Sequence, residues 1–165
     1  MSSGVATRYA KAIFGLAKED KKLEVMEKDL SSLSGALRIS EDLRNSPDIA
    51  QTIAVTCLGL GTACKLTGLH TLKIKETDRL VALKNEIEKL GGEVVISDEH
   101  LELKPSAILK ENVEIETYND HRMAMAFAPI ALKVPVIIAD AMVVSKSYPD
   151  FYSDLEQLNF EVIKE

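Results

Sequence analysis

The spacing of apolar residues divides the chain into an N-terminal helical segment and a longer mixed segment. Apolar side chains recur every three or four positions from Val5 to Leu16 and again from Leu23 to Leu37, which is the period of an amphipathic helix. The polar run Glu19–Lys22 separates the two stripes. This pattern predicts an N-terminal helical hairpin over residues 1–45.

Residues 46–165 alternate short helices with short strands. The stretch Pro47–Leu60 is apolar on nearly every side, which predicts a helix buried inside a domain. An amphipathic helix is predicted over Asp78–Leu90, where the glycine pair 91–92 ends it. The other predicted elements are strands over Ala63–Thr67, Thr71–Ile74, Glu93–Ile96, Leu101–Leu103, Val113–Glu116, Val136–Ala139 and Phe160–Ile163, and helices over Asp120–Leu132 and Pro149–Leu158. The recurring order of strand, helix, strand, strand indicates an α/β (α+β) domain.

Composition narrows the classes of function. The chain has 165 residues and a formal net charge of −6, and it lacks the apolar run of roughly 20 residues that a membrane-spanning helix needs. Its first residues do not have the basic-then-apolar layout of a signal peptide. We therefore expect a cytoplasmic protein without a membrane partner, and the isoelectric point near 5.2 argues against nucleic acid as a partner.

The net negative charge of the chain lies in residues 47–165. Residues 1–46 contain 8 Lys and Arg against 7 Asp and Glu, whereas residues 47–165 contain 12 against 19.

Cys57 and Cys64 lie in an apolar stretch without a nearby histidine or second cysteine pair. We expect reduced thiols there rather than a metal site.

Three polar clusters lie where a predicted helix begins, and they are KETDR (75–79), NDHR (119–122) and SKSYP (145–149). The unpaired N–H groups of a helix start favour anions. If these helix starts meet, the cations that they carry would form a pocket suited to phosphate or carboxylate. Those cations are Arg79, Arg122 and Lys146.

Each cluster also has an ordinary structural interpretation when it is taken alone. Asp78 and Asp120 stand where helix-capping residues stand, and His121 would serve equally well as a packed core histidine. The SKSYP cluster resembles an ordinary loop, and Asp48 could be a simple first-turn acid. These alternatives stay open on the residues alone.

Four motifs in register resemble the C-terminal part of the 5-enolpyruvylshikimate-3-phosphate synthase family. They are PDIAQT (47–52), LKIKETDRL (72–80), TYNDHRMAMAF (117–127) and SKSYPDFY (145–152), within a match over residues 46–165. The resemblance implies a partial inside-out α/β domain of βαβαββ units with helices in its middle. It also implies transfer of the enolpyruvyl group of phosphoenolpyruvate to the 5-hydroxyl of shikimate 3-phosphate, without a cofactor.

The resemblance also implies roles for particular side chains. Asp48 matches a carboxylate that binds shikimate 3-phosphate and accepts a proton, and Glu76 matches a second acid in proton transfer. Lys75 matches a shikimate-phosphate contact. The residues that match the phosphoenolpyruvate clamp are Arg79, Arg122 and Lys146, and those that support the clamp are Asp120 and His121. Thr71 departs from the family pattern, which often has an asparagine there.

By the same resemblance, the first domain of the enzyme is absent from this chain. The chain would then be inactive alone and would need the missing N-terminal domain as a partner. Residues 4–45, in contrast, resemble the N-terminal helices of the delta subunit of ATP synthase. An alternative function is therefore a non-catalytic interaction module, in which the hairpin docks on a partner and residues 46–165 are a scaffold.

Overall fold

The computed structural model describes residues 43–74, 78–106 and 108–163. Its α-helices are α1 (Ala50–Gly59), α2 (Arg79–Lys89), α3 (His121–Phe127) and α4 (Phe151–Gln157). Its strands are β1 (Cys64–Leu66), β2 (Val94–Ile96), β3 (Leu101–Leu103), β4 (Val113–Ile115) and β5 (Val136–Ile138). Short 3₁₀ helices span Pro47–Ile49, His70–Ile74, Ala128–Leu132 and Ala141–Lys146. Except for residues 43–45, the predicted hairpin over 1–45 lies outside the described residues.

Helix α1 is buried on nearly every side, as its apolar sequence predicts. Ala50, Ala54 and Cys57 have no exposed surface, and Leu58 is also buried. The helix contacts α2, α3, β1 and β3. Because a helix occupies the interior and strands lie around it, the arrangement is that of a partial inside-out α/β domain.

The strands form two small sheets. Strands β1, β3 and β2 form an antiparallel sheet in that order, and β4 pairs with β5 in parallel. In the central strand β3, Leu101 and Leu103 are buried whereas Glu102 is exposed. One face of this sheet therefore packs on the core and the other faces solvent, as in many antiparallel sheets.

The predicted helix over Asp120–Leu132 is an α-helix only in its first half. Helix α3 ends at Phe127, and the 3₁₀ helix Ala128–Leu132 continues it with a proline near its start. Pro129 has no N–H group, and its ring would clash with the carbonyl four residues earlier in a continued α-helix. The chain then turns into β5, so that β4, α3 and β5 form a compact βαβ unit.

Two predicted strands are wrong. Residues 71–74 belong to the 3₁₀ helix His70–Ile74, in which Leu72 N donates to Leu69 O at 2.9 Å. Leu69 and Leu72 are both fully buried, and their spacing of three suits a 3₁₀ helix rather than a strand.

The second wrong strand is 160–163, which follows a chain reversal instead of pairing with another strand. Asn159 adopts a left-handed conformation with φ +67°, and Phe160 N donates to Leu155 O at 3.1 Å. Phe160 and Val162 pack against a small cluster around Phe151. The backbone hydrogen bond at the end of α4 therefore sets the direction of residues 160–163.

Cys57 and Cys64 are free, buried thiols in the structure. A hydrogen bond with Cys57 and burial raise the pKa of the Cys64 thiol above its ordinary value, so Cys64 stays neutral.

Among the described helices, none combines the length and apolar character required to cross a membrane.

Substitution of Gly92 by alanine should destabilise the contact between α1 and α2. A Cβ at Gly92 would lie 2.5 Å from Ile87 Cγ2 and 2.7 Å from Leu58 Cδ1. Such overpacking typically lowers the free energy of unfolding by about 1–3 kcal/mol. Urea unfolding followed by circular dichroism measures the change.

Gly59→Ala is the matched control for this substitution. A Cβ at Gly59 would meet only the end of the Ile130 side chain, at 3.2 Å, and alanine favours a helix by up to about 1 kcal/mol over glycine. We expect this variant to match or exceed the stability of the original chain. Equal destabilisation of the two variants would contradict the packing described here.

Candidate active site

The starts of α2 and α3 are fixed by aspartate caps, as the helix-start patterns predict. Asp78 Oδ1 accepts hydrogen bonds from the backbone N–H groups of Leu80 at 3.1 Å and Val81 at 3.2 Å. Asp120 Oδ1 accepts one from Arg122 N at 2.9 Å. Each cap satisfies helix N–H groups that would otherwise lack a partner. The capping also fixes where the arginine of each motif enters its helix.

Arg79 is buried and binds two aspartates. Its side chain is only 2% exposed, although arginine is rarely buried unless it is paired. Arg79 Nε donates to Asp120 Oδ2 at 2.5 Å, and Nη1 donates to Asp48 Oδ1 at 2.8 Å. These contacts join the start of α2 to the start of α3 and to the 3₁₀ helix before α1.

Asp120 is the most buried acid of this group, with no exposed surface. Besides capping α3 and binding Arg79, its Oδ2 atom accepts a weak bond from Gln51 Nε2 at 3.4 Å. Both of its oxygen atoms therefore have donors. A buried carboxylate satisfied in this way is compatible with a low-dielectric interior.

Asp48 lies between two guanidinium groups. Its Oδ1 atom binds Arg79, and its Oδ2 atom accepts from Arg122 Nη2 at 3.3 Å. Arg122 Nη1 also lies 3.4 Å from the backbone oxygen of Asp48. We call Asp48, Arg79, Asp120 and Arg122 the arginine–aspartate cluster.

The exposed part of this cluster is formed by Asp48 and Arg122. Their side chains are 26% and 15% exposed, whereas Arg79 and Asp120 are almost completely buried. Arg122 Nε is buried without a hydrogen-bond partner among the described residues. The cluster thus presents to solvent the Asp48 carboxylate and part of the Arg122 guanidinium, whose unused donor Nε is itself buried.

The remaining predicted site residues are placed differently. His121 is half-buried, and its Nδ1 atom lies 4.0 Å from Asp120 Oδ1, so it stands next to the cluster. Lys146 is exposed at the end of the 3₁₀ helix Ala141–Lys146. This helix packs against α3, but no hydrogen bond joins Lys146 to the cluster within the described ranges. Lys75 and Glu76 lie outside the described residues.

Among the described residues, three buried polar side chains, those of Gln51, Glu86 and Thr117, were not predicted as site residues. Gln51 is 1% exposed and Glu86 has no exposed surface. Gln51 stands among buried apolar residues of α1, and Glu86 stands three residues after Leu83 on the buried side of α2. A polar residue at a core position is the sequence signal that could have identified both.

Comparison with known proteins identifies one family over most of the chain. The family model described as EPSP synthase (3-phosphoshikimate 1-carboxyvinyltransferase) matches residues 11–155. A 3-phosphoshikimate 1-carboxyvinyltransferase of Bacteroides fragilis is 43% identical over 169 aligned positions, which cover 96% of this chain and 36% of that protein. The protein of the same name from Colwellia psychrerythraea is 36% identical over an alignment that covers 86% of this chain and 32% of that protein.

A solved structure shares the fold. EPSP synthase from Acinetobacter baumannii superposes with a TM-score of 0.59 at 22% identity, over 66% of this chain and 26% of that chain. The present chain therefore spans about a third of the length of the curated relatives it matches, 36% and 32% for the two named above.

The family match lies on both sides of the predicted boundary between the segments 1–45 and 46–165, because it begins at residue 11. The division at that boundary stays a prediction, as does the resemblance of residues 4–45 to the ATP synthase delta subunit.

Removal of the Arg79 side chain should strongly destabilise the fold. Arg79→Ala leaves Asp120 as a buried charge without its guanidinium, and breaking a buried ion pair in this way typically lowers the free energy of unfolding by about 3–5 kcal/mol. Urea unfolding at neutral pH measures the loss. Lys84→Ala, which breaks a surface pair with Glu88, should change it by less than about 1 kcal/mol.

A loss for Arg79→Ala no larger than that for Lys84→Ala would show that the buried pair does not hold the three segments together. Arg79→Lys keeps the charge but not the two-pronged geometry that reaches both aspartates. We expect its stability to lie between those of Arg79→Ala and the original chain.

Proposed function

The chain belongs to the EPSP synthase (3-phosphoshikimate 1-carboxyvinyltransferase) family, and from this premise we propose that it carries part of an enolpyruvyl transferase site. The proposed reaction joins the enolpyruvyl group of phosphoenolpyruvate to the 5-hydroxyl of shikimate 3-phosphate and releases phosphate. This reaction belongs to the shikimate pathway of aromatic amino acid biosynthesis. Because both substrates are phosphorylated metabolites that do not cross membranes freely, we place the reaction in the cytoplasm.

The observation that carries the proposal is the pair of guanidinium groups at Arg79 and Arg122 on either side of Asp48. Both substrates are anions, and guanidinium groups match the planar geometry of carboxylate and phosphate oxygens. Arg122 is the more exposed of the two arginines, and the buried Arg79, which also binds Asp120, holds the Asp48 carboxylate in place. Donors that are fixed before the reaction stabilise developing charge without reorganisation.

In this proposal Asp48 has two functions. Without substrate, its carboxylate binds both guanidinium groups and so occupies part of the position that an anionic substrate needs. With substrate bound, Asp48 accepts the proton that the 5-hydroxyl loses as its oxygen bonds to the enolpyruvyl carbon. General-base function requires contact with that hydroxyl, and Asp48 is the partly exposed acid of the cluster.

The other site residues extend the same site. Glu76 acts in proton transfer at the methylene carbon of phosphoenolpyruvate, and Lys75 contacts the phosphate of shikimate 3-phosphate. Lys146 completes the phosphoenolpyruvate clamp, and Asp120 and His121 orient it. These roles follow the family motifs at these positions and not contacts among the described residues.

Catalysis by this chain requires the rest of the enzyme. The chain corresponds to about a third of its relatives, 36% of the Bacteroides fragilis protein. If the remaining contacts to shikimate 3-phosphate come from the other part, this chain alone cannot hold both substrates at the high effective concentration that the reaction needs. We propose that the region corresponding to the N-terminal domain of these relatives is the partner that completes the site.

Anion binding by the isolated chain tests the clamp. We expect weak phosphoenolpyruvate binding that Arg122→Ala reduces at least about tenfold, a loss equivalent to about 1.4 kcal/mol. Lys104→Ala, which removes one positive charge from an exposed pair with Glu93, should leave the affinity within about twofold. Isothermal titration calorimetry measures both, and equal effects of the two substitutions would argue against a specific clamp.

Asp48→Asn should separate binding from catalysis. The substitution removes the carboxylate that competes for the two arginines and repels anions, so phosphoenolpyruvate should bind the isolated chain severalfold more tightly. The same variant should lack activity in the complemented enzyme, because asparagine cannot accept the proton. Weaker anion binding after this substitution would contradict the arrangement proposed for Asp48.

Complementation tests the reaction itself. The chain should release no phosphate from the two substrates alone, but it should do so when mixed with the separately produced N-terminal two-thirds of the Bacteroides fragilis relative. Phosphate release is followed colorimetrically, with Asp48→Asn as the inactive control. A folded chain that stays inactive with this partner, although the intact relative is active, would favour a non-catalytic function.

A further inference from the structure

Glu86 is a buried acid to which the proposed reaction assigns no function. It lies on α2 seven residues after Arg79, which places the two side chains on the same face, about two helical turns apart. Its side chain has no exposed surface. A fully buried carboxylate is unfavourable unless its oxygen atoms are bound by donors. The donors to Glu86 therefore show which segment of the chain it holds.

The donors to Glu86 come mainly from the loop that precedes α3. Glu86 Oε2 accepts from the backbone N–H of Glu116 at 3.1 Å, and Oε1 accepts from the phenol of Tyr118 at 2.8 Å. Lys89 Nζ also lies 2.8 Å from Oε2. We call residues 116–120, between β4 and α3, the cap loop because they end at the capping residue Asp120.

The cap loop has an unfavourable backbone conformation. Tyr118 and Asn119 are consecutive left-handed residues, with φ of +53° and +56°. Asparagine adopts this conformation readily, but for a residue such as Tyr118 it costs about 1–2 kcal/mol and persists only when surrounding contacts impose it. Glu86 supplies such contacts, because it binds both the first residue of the loop and one of the two left-handed residues.

Helix α2 therefore holds the cap loop at both ends. Arg79 binds Asp120, where the loop meets α3, and Glu86 binds Glu116 and Tyr118, where it leaves β4. The direction of the Asp120 carboxylate, and through it that of the Arg79 and Arg122 guanidinium groups, depends on the path between these points.

We propose that Glu86, acting through the Tyr118 phenol, is a positioning residue for the arginine–aspartate cluster. It fixes the cap loop so that Asp120 presents one oxygen to Arg79 and the other to the start of α3. The effect on substrate affinity rests on the proposed function, whereas the effect on the geometry of the cluster does not.

Two conservative substitutions test this proposal in the full chain. Tyr118→Phe removes only the phenol oxygen, and Glu86→Gln keeps an acceptor but removes the charge. The matched controls are Tyr148→Phe, which removes a phenol bonded to Asp154, and Glu88→Gln, which neutralises an exposed acid of the same helix. Thermal unfolding is recorded for all four variants, so that binding is compared at a temperature at which each of them is folded.

The first readout is the Arg79 Nε–Hε resonance in a ¹⁵N-labelled chain, which reports the bond to Asp120. We expect Tyr118→Phe and Glu86→Gln to shift this resonance and the two controls to leave it in place. The second readout is phosphoenolpyruvate affinity, which both site variants should weaken roughly three- to tenfold, the size expected for one lost hydrogen bond.

A purely structural role for Glu86 would lower the unfolding temperature of the two site variants but leave the Arg79 resonance and the affinity per folded molecule unchanged. That result would overturn the proposal. If Glu86→Gln does not fold, Tyr118→Phe decides by the same readouts. If the original chain binds no phosphoenolpyruvate, the proposed function fails, and the Arg79 resonance alone still decides whether Glu86 positions the cluster.

Discussion

The buried ion pair between Arg79 and Asp120 is the constraint on which the rest of the site depends. Neither side chain has more than 2% of its surface exposed, so each charge is acceptable in the core only because the other neutralises it. The pair connects the first residue of α2 to the cap of α3, and Asp48 adds the segment before α1. Consequently the site is part of the core rather than an addition to the surface, and its geometry is as rigid as the packing around it.

Much of the fold could be predicted because its elements depend on local patterns. The all-round apolar sequence of α1, the amphipathic stripe and glycine end of α2, and the strands on either side of a polar turn agree with the structure to within a few residues. The two strands that were predicted wrongly are set by short-range backbone hydrogen bonds, Leu72 N to Leu69 O and Phe160 N to Leu155 O, rather than by pairing with another strand. Residues 71–74 show why, since Leu69 and Leu72 are buried at a spacing of three, which a strand cannot provide.

The candidate site was predictable in part for the same reason. Aspartate caps are local, so the position of Asp120 at the start of α3 follows from the sequence itself, and the family motifs indicated that Asp48, Arg79 and Arg122 belong together. Residue order does not reveal which of them is buried. Polar residues at core positions could have marked Glu86 and Gln51 in the sequence, but their partners could not be predicted, because such contacts form only when separate segments pack.

The sequence separations within the cluster have a consequence for how the protein acquires its site. The Arg79–Asp120 contact spans 41 positions, Arg79–Asp48 spans 31 and Arg122–Asp48 spans 74. Closing loops of this length carries an entropic penalty that a nascent helix or hairpin does not face. The groups of the arginine–aspartate cluster therefore come together only when the segments that carry them have packed. The proposed ligand binding therefore depends on cooperative folding of the whole domain, and proteolytic cleavage that separates any of these three segments should abolish it.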